Sequence, residues 1–277
     1  MELQDLETEL KLRGYTAATL RAYRVHNRRF LAFIQKTPNE IEREDVRTYL
    51  AYLLADKKQK PASVHLALSS LKFFYETVLK KKIFEDIKSP KKENKLPTVL
   101  TKSEIKKMID ITKNQKHKLL ISFLYSSGLR VSEAVHLKVD DLDLDEKMGR
   151  VIAGKGKKDR NIILSKQLIE QLQLYLQERK YKSSYVFPGE GGKEHLSIRM
   201  AQRIVQNAAT KAGIRKRVFC HALRSSFATH LLEDGVNIRY IQVLLGHSSI
   251  SVTERYLQVS TDQLKKIKSP FDDMEDK

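Results

Sequence analysis

Residues 221–230 read HALRSSFATH, and apolar residues recur in this stretch at the spacing of one helix face. They are Ala222, Leu223, Phe227, Ala228 and, just beyond the stretch, Leu231. The pattern predicts an amphipathic helix over 221–233 that packs on a core. His221 and Arg224 lie three residues apart, so both should project from one side of the same turn. Two interpretations of the pair are open: a solvated helix face, or a clamp for an anion.

The composition is that of a soluble globular protein with an excess of basic residues. Its 277 residues include 52 Lys and Arg against 34 Asp and Glu, a formal net charge of +18. Such an excess favours a polyanionic partner, meaning nucleic acid or an anionic membrane surface. No apolar run is long enough to span a bilayer, and the polar N-terminus does not resemble a signal peptide. A single cysteine, Cys220, suits a reducing compartment, so we expect a cytoplasmic protein that does not bind membranes.

The first part of the chain has helical periodicity throughout, and a linker follows it. Segments 2–12, 16–34, 42–56 and 61–80 predict a four-helix domain over 1–87, with Thr16 as an N-cap and Pro61 in a first turn. KSPKKENKLPTVL (88–100) contains two prolines and little to bury, which predicts a linker over 88–99. Up to Lys95 the chain has 20 basic and 13 acidic residues, and beyond it 32 and 21. Two basic modules that grip one polyanion fit this balance.

The second part, 100–277, mixes helices with one hairpin. Thr101 and Glu104 form a capping box, and HKLLISFLYSSGLRVSEAVHL (117–137) predicts two helices around a glycine. GRVIAGKGKKDRNIIL (149–164) predicts a β-hairpin, since β-branched runs flank a turn rich in Gly and Lys. Helical patterns return at 165–180, 197–212, 221–233, 237–244 and 261–268. The predicted fold is therefore mainly α, with two domains and a small antiparallel sheet in the second.

Several kinds of site are disfavoured by spacing. The turn AGKGKKD lacks the full phosphate-binding loop pattern, and no helix follows it. The alternating acids of DDLDLDEKMG (140–149) lack the glycine and the closing glutamate of a calcium loop. They could serve a metal-dependent nuclease, but no second carboxylate cluster offers itself, which favours a solvated turn. Cys220, His221, His230 and His247 match no known zinc pattern. We expect neither a metal ion nor a cofactor.

The remaining candidates are cationic donors and one tyrosine. Arg130 begins a helix just after Gly128, where helix-terminal amides also favour anions. Lys155 lies on the hairpin turn, and His247 follows a glycine in the corner GHSS (246–249). Tyr256 comes nine residues after that histidine. Each of these could be an ordinary surface or core residue, but their joint occurrence with the pair on the 221–233 helix is much harder to explain in that way.

Metal-free cleavage of a phosphodiester needs these residue types together. Bidentate arginines, aided by histidine, stabilise charge on the nonbridging oxygens. A lysine on a turn can protonate the leaving oxygen. Tyrosine, with a pKa of about 10, is a weak nucleophile that neighbouring arginines and protonated histidines activate. A tyrosyl phosphodiester keeps the energy of the broken bond, so the strand can be resealed without ATP. This chemistry points to a recombinase or topoisomerase rather than a nuclease.

These motifs resemble the tyrosine recombinase, or phage integrase, family, and in particular the Xer-type chromosome-dimer recombinases. The resemblance rests on GLRVSEA, the GKG turn, HALRSSFATHLLEDG, LLGHSSIS and the tyrosine that follows, over about residues 100–260. The helical N-terminal part resembles the family's SAM-like core-binding domain. Ser225 stands where many relatives have a second histidine, and Leu257 where threonine is common. Neither position has a required chemical role.

The resemblance also implies roles for individual residues. Arg130 and Arg224 would bind the scissile phosphate, Lys155 would protonate the leaving group, and His221 and His247 would assist. Tyr256 would form a 3′-phosphotyrosyl link, and Glu133 would support the first arginine. Strands would then be exchanged between two DNA sites through a Holliday junction. The open alternatives are a type IB-like DNA relaxase that acts without synapsis and a DNA-binding module whose catalytic residues are idle.

The implied partner is double-stranded DNA, held in a clamp. On the N-terminal domain we expect phosphate contacts from Arg21, Arg24 and Arg28, and on the hairpin turn from Lys157 and Lys158, with a solvated face as the alternative. The family assembles as a tetramer on paired sites, from one or two kinds of subunit, and a monomer or dimer off DNA is compatible with that. TDQLKKIKSPF (261–271) would dock on a neighbouring subunit or pack on its own domain.

Overall fold

The computed structural model describes residues 3–91, 96–152 and 159–257. The chain forms two compact units, Met1–Lys95 and Leu96–Lys277. Both are mainly helical, and the second contains a small antiparallel sheet, which confirms the predicted fold class. The finer limits 1–87, 88–99 and 100–277 remain a prediction. In the described part of the chain, no helix is both long and apolar enough to cross a membrane.

The first unit is a helical bundle whose helix ends follow local sequence signals. Its helices are α1 (Gln4–Leu12), α2 (Ala17–Ile34), α3 (Arg43–Ala55), α4 (Pro61–Lys72) and a π-helical continuation of α4 (Phe73–Val78). The Thr16 side chain accepts a hydrogen bond from the Thr19 amide, and Pro61 occupies the first turn of α4, as predicted. The predicted helix over 61–80 thus changes to wider π turns, which bury Phe74 and Tyr75.

Buried polar groups join α2 to α4. Asn27 Nδ2 donates to Ser70 Oγ at 2.9 Å, and Ser70 Oγ donates to the Tyr23 carbonyl at 3.0 Å. Asn27 and Ser70 are both inaccessible to solvent. Because an unpaired buried polar group is costly, these bonds fix how the two helices align.

The second unit combines helices with the small sheet. The helices are α5 (Lys102–Ile111), α6 (Gln115–Ser126), α7 (Val131–His136), α8 (Lys166–Glu178), α9 (Ile198–Lys211), α10 (Cys220–Glu233), α11 (Ile238–Leu245) and α12 (Ser251–Glu254). Thr101 and Glu104 form the predicted capping box at the start of α5. The short helix α12 was not predicted, because four residues carry too little periodicity to indicate a helix.

The sheet has the order β1–β2–β3, with β1 at Leu142–Asp143, β2 at Met148–Val151 and β3 at Arg160–Ile163. The predicted hairpin pairs Val151 with Arg160 and Met148 with Ile163, and β1 is an addition to it. The acids before β2 cap turns: Asp143 Oδ1 accepts from the Glu146 amide, and Asp141 Oδ2 from the Lys138 amide, both at 2.9 Å. These contacts agree with a turn that leads into the hairpin.

The helix α10 is buried on almost every side, so the prediction of an amphipathic helix was wrong. Every residue from Ala222 to His230 is buried. Small polar side chains let α10 pack closely against α6, so that this side of α10 is buried rather than solvated. His230 Nδ1 lies 2.9 Å from Tyr125 Oη, which agrees with a structural histidine.

Candidate active site

Arg130 is placed by a tight passage between α6 and α7. Gly128 has a φ of +59°, and a side chain at this position would collide with the ring of Phe227. This left-handed turn, which glycine adopts without strain, brings Arg130 to the start of α7. The Arg130 amide donates to Glu133 Oε2 and its Nη1 to Glu133 Oε1, both at 2.7 Å. The Arg130 side chain remains 36% exposed, so it can reach a ligand.

Glu133 accepts a second pair of hydrogen bonds from a residue that the sequence interpretation missed. Arg160 Nη1 and Nη2 donate to the two carboxylate oxygens at 2.9 and 2.7 Å. Burial alone would raise the pKa of Glu133, but hydrogen bonds and charge from Arg160 and Arg130 outweigh burial and lower the pKa to about 2. Glu133 is therefore ionised throughout the neutral range. Its predicted place beside the first arginine agrees with this geometry.

Arg224 is completely enclosed by the protein. Its side chain is 1% exposed, and its Nη1 donates to the Gly128 carbonyl at 2.7 Å. Its Nη2 donates to the Leu245 carbonyl at 2.5 Å and lies 3.1 Å from His247 Nε2. Burial and the charge of Arg130 lower the pKa of Arg224 to about 10, which still leaves it cationic at neutral pH. Of the two interpretations of the His221–Arg224 pair, a solvated face is therefore wrong for Arg224.

His247 occupies the corner after α11 and is neutral. Its Nδ1 lies 2.9 Å from Thr253 Oγ1. Burial and the charges of Arg224 and Arg130 lower the pKa of His247 to about 4. The pKa of His221 is also lowered, by the surrounding protein and by the charges of Arg224 and Arg130. The expectation of protonated histidines beside the tyrosine is therefore wrong for this state, in which the arginines supply the positive charge.

Tyr256 lies against His247 and is 3% exposed. The two rings are stacked, with centroids 6.3 Å apart and planes 21° from parallel. Tyr256 is also close enough to Arg224 for a phenolate there to raise the pKa of the guanidinium. His221 is the second residue of α10 and is accessible to solvent. The fold thus brings residues from separate segments to one place: Arg130, His221, Arg224, His247 and Tyr256.

The other predicted residues form two groups. Lys155, Lys157 and Lys158 fall outside the described residues. Arg21, Arg24 and Arg28 are exposed on α2 in the first unit, and Arg24 pairs with Glu7 at 2.7 Å. Among the described ranges, no three His, Cys, Asp or Glu side chains are close enough together to hold a metal ion.

The sequence interpretation missed two residues that contact the site, Arg160 and Thr253. Only Arg160 could have been found from the sequence. In the strand RNII (160–163), Arg160 shares a face with the buried Ile162, so a charge stands on the side that faces the core. Such a charge calls for a buried partner, which is Glu133. Thr253 had no comparable signal, because its contact with His247 depends on how α12 folds back.

Comparison with known proteins agrees with this arrangement. A family model described as "Phage integrase family" matches residues 98–263, and one described as "Phage integrase, N-terminal SAM-like domain" matches residues 3–85. The chain belongs to the phage integrase family. The predicted resemblance to tyrosine recombinases is thereby confirmed.

Members of this family that resemble the chain span nearly its whole length. "Tyrosine recombinase XerA" of Pyrococcus furiosus is 37% identical over 268 residues, which cover 95% of this chain and 91% of the relative. The XerA of Thermococcus kodakarensis is 35% identical over 268 residues, covering 95% and 93%. A crystal structure of XerA recombinase is 29% identical, with a TM-score of 0.57 and coverage of 96% and 99%. XerH recombinase, in a post-cleavage complex with a palindromic difH substrate, shares the fold at 23% identity, with a TM-score of 0.77 and coverage of 96% and 83%.

Proposed function

We propose that the residues around Arg224 are the active site of a tyrosine site-specific recombinase. The enzyme cleaves and rejoins DNA strands through a covalent bond to Tyr256. The observation that carries this proposal is that a second arginine, two histidines and a tyrosine from distant segments meet around the buried guanidinium of Arg224. The relatives named as tyrosine recombinases, and XerH captured after cleavage of its DNA, support the same activity.

Each side chain has a role that its environment suits. Arg130 and Arg224 are held by fixed acceptors, so their guanidinium groups are preorganised to neutralise the nonbridging oxygens of a phosphate. His221 has a lowered pKa, so at neutral pH its uncharged ring can accept the phenol proton of Tyr256, while His247 uses both ring nitrogens in hydrogen bonds and holds Arg224. Glu133 holds Arg130 in place. Lys155 donates a proton to the leaving oxygen.

The reaction conserves the number of phosphodiester bonds. The Tyr256 oxygen attacks phosphorus, the bond to the 5′ oxygen breaks, and that oxygen takes a proton from Lys155. The product is a 3′-phosphotyrosyl bond and a free 5′ hydroxyl. Attack by the 5′ hydroxyl of another strand reverses these steps and releases the tyrosine. No metal ion and no ATP enter the sequence.

The partner is double-stranded DNA, in keeping with the net charge of +18. Arg21, Arg24 and Arg28 form an exposed basic stripe for its phosphates, with Lys157 and Lys158 of the hairpin turn. Arg24 would exchange its bond to Glu7 for a phosphate. Four subunits, of one kind or of two kinds, act on two DNA sites. Segment 261–271 of each subunit docks on its neighbour. The protein works in the cytoplasm.

Paired DNA sites test the proposed function. The cognate duplex is first selected from a random library by binding to Tyr256→Phe, and one or two copies are then placed on a plasmid in buffer with EDTA. We expect recombinant products with two copies only. Relaxation of supercoils with one copy and no products with two would favour a relaxase, and no covalent adduct at all would favour an idle binding module. A strict requirement for Mg²⁺ would instead favour a metal-dependent nuclease that uses carboxylates.

A further inference from the structure

Arg160 is a buried guanidinium that belongs to no step of the proposed reaction. Its side chain is 7% exposed, and it opens β3 on the face that Val151 shares. Besides its two bonds to Glu133, its Nε donates to the Leu244 carbonyl at 2.8 Å. Burying a charge is costly unless its donors are paired. The three hydrogen bonds therefore stabilise the buried guanidinium of Arg160 in this position.

These bonds join parts of the chain that carry different site residues. Glu133 holds Arg130 at the start of α7, whereas Leu244 lies in the last turn of α11, three residues before His247. Gly246, at the end of α11, has a φ of +62°, and a Cβ there would lie 2.8 Å from Arg160 Cδ. The Arg160 side chain therefore packs directly on the backbone that leads into His247. One side chain thus contacts both Glu133, which holds Arg130, and the backbone beside His247.

We propose that Arg160 is a positioning residue of the recombinase, which holds Glu133 and the Leu244–His247 corner so that Arg130 and His247 face one phosphate. The inference rests on the proposed function. Arg160 does not contact the DNA or the reacting atoms itself; it acts through Glu133 and through the backbone at Gly246.

The charge of Arg160 gives this role a pH signature. The groups that face Glu133 are Arg160 from β3, Arg130 from the start of α7 and Arg224 from α10, whose Nη1 is 3.7 Å from Glu133 Oε2. Without Arg160, Glu133 loses a bidentate partner. Because the carboxylate stays buried, this loss raises its pKa. A protonated Glu133 no longer pairs with the Arg130 guanidinium. Loss of Arg160 should therefore harm cleavage more at acidic pH than at alkaline pH.

The test measures single-turnover formation of the covalent adduct on the nicked cognate duplex between pH 5 and 8.5. The variants are Arg160→Met, Arg160→Lys and a matched control, Arg150→Met. Arg150 lies on β2, pairs with Asn161 on the other face of the sheet and is 65% exposed in its ion pair with Asp159. Thermal midpoints and DNA affinities are recorded for each variant, so that unfolding and weak binding are seen separately.

We expect Arg160→Met to form the adduct about 100-fold more slowly at pH 8, because small displacements of a catalytic group have costs of this size. The deficit should widen towards pH 5. Arg160→Lys keeps a charge beside Glu133 but cannot bind both oxygens, so it should be slow by a factor that does not change with pH. Arg150→Met should change the rate by less than about fivefold, since exposed ion pairs contribute little.

A wild-type rate in Arg160→Met would overturn the inference, as would a deficit that Arg150→Met shares or that is the same at every pH. If Arg160→Met does not fold, Arg160→Lys decides: a wild-type rate contradicts the positioning role, and a slower rate at an unchanged thermal midpoint supports it. An adduct that is missing from the wild type would contradict the proposed function itself, which separates the two failures.

Discussion

Arg224 Nη2 lies 3.1 Å from His247 Nε2, and this contact sets which ring nitrogen of the neutral histidine carries the proton. Arginine has only donors, so Nε2 accepts, the proton of the neutral ring is on Nδ1, and Nδ1 donates to Thr253 Oγ1 at 2.9 Å. The chain of bonds therefore runs from Arg224 through His247 to Thr253. Its direction agrees with the lowered pKa of His247, about 4.

The hydroxyl of Thr253 should matter for cleavage through its contact with His247. Thr253→Val keeps the volume of this fully buried side chain but removes the acceptor for His247 Nδ1. A lost hydrogen bond of about 1 kcal/mol corresponds to a rate about fivefold lower. Thr253→Ser should recover most of the single-turnover rate. Equal rates in the Val variant and the wild type would show that Thr253 does not orient the ring.

Arg224 should be needed for cleavage and not for DNA affinity. Arg224→Lys keeps the charge but cannot serve the Gly128 carbonyl, the Leu245 carbonyl and a phosphate together. We expect the adduct to form about 100-fold to 1,000-fold more slowly, as when a preorganised donor to a transition state is lost. Binding measured at several salt concentrations should keep its slope, and a binding loss as large as the rate loss would contradict this.

Gly128 should tolerate no side chain, because two independent features forbid one. Gly128→Ala combines a left-handed backbone with a collision against Phe227, and we expect the free energy of unfolding to fall by about 2 to 4 kcal/mol. Gly213 is a matched control, since its φ is +70° and nothing lies near its Cβ position. Gly213→Ala should cost only about 1 kcal/mol. Denaturant unfolding of both variants checks the difference, and equal losses would contradict the packing at Gly128.

The fold should lose stability as pH falls below about 6.5, the pKa of an unfolded histidine. The folded pKa of His247 is about 4, and burial lowers those of His221 and His230 as well. In this window the unfolded chain binds protons that the folded one does not, so acid favours unfolding. Glu133 adds its own loss only below about 4.5, because its folded pKa is about 2. Urea midpoints at pH 7.5, 6 and 5 should decrease in that order; equal midpoints would contradict these shifts.

Local signals predicted much of this architecture, and tertiary contacts account for what they missed. Thr16 and Thr101 correctly predict where two helices begin, because a helix cap involves only the next three residues. The hairpin follows from its own residues in the same way. Arg160, by contrast, finds its partners 27 and 84 residues away, which no local pattern encodes. The prediction of a polar face on α10 was wrong for a related reason, since its two serines and one threonine are small enough to be buried against other helices.

The central claim is that Tyr256 is the nucleophile, and covalent capture tests it most directly. The wild type and Tyr256→Phe are incubated with a nicked duplex of the selected site in EDTA, and protein bound to DNA is counted after denaturation. The Phe variant keeps the ring that stacks on His247, so fold and DNA affinity should be unchanged. We predict an adduct in the wild type and none in Tyr256→Phe. An adduct that persists in Tyr256→Phe would show that another residue attacks the phosphate.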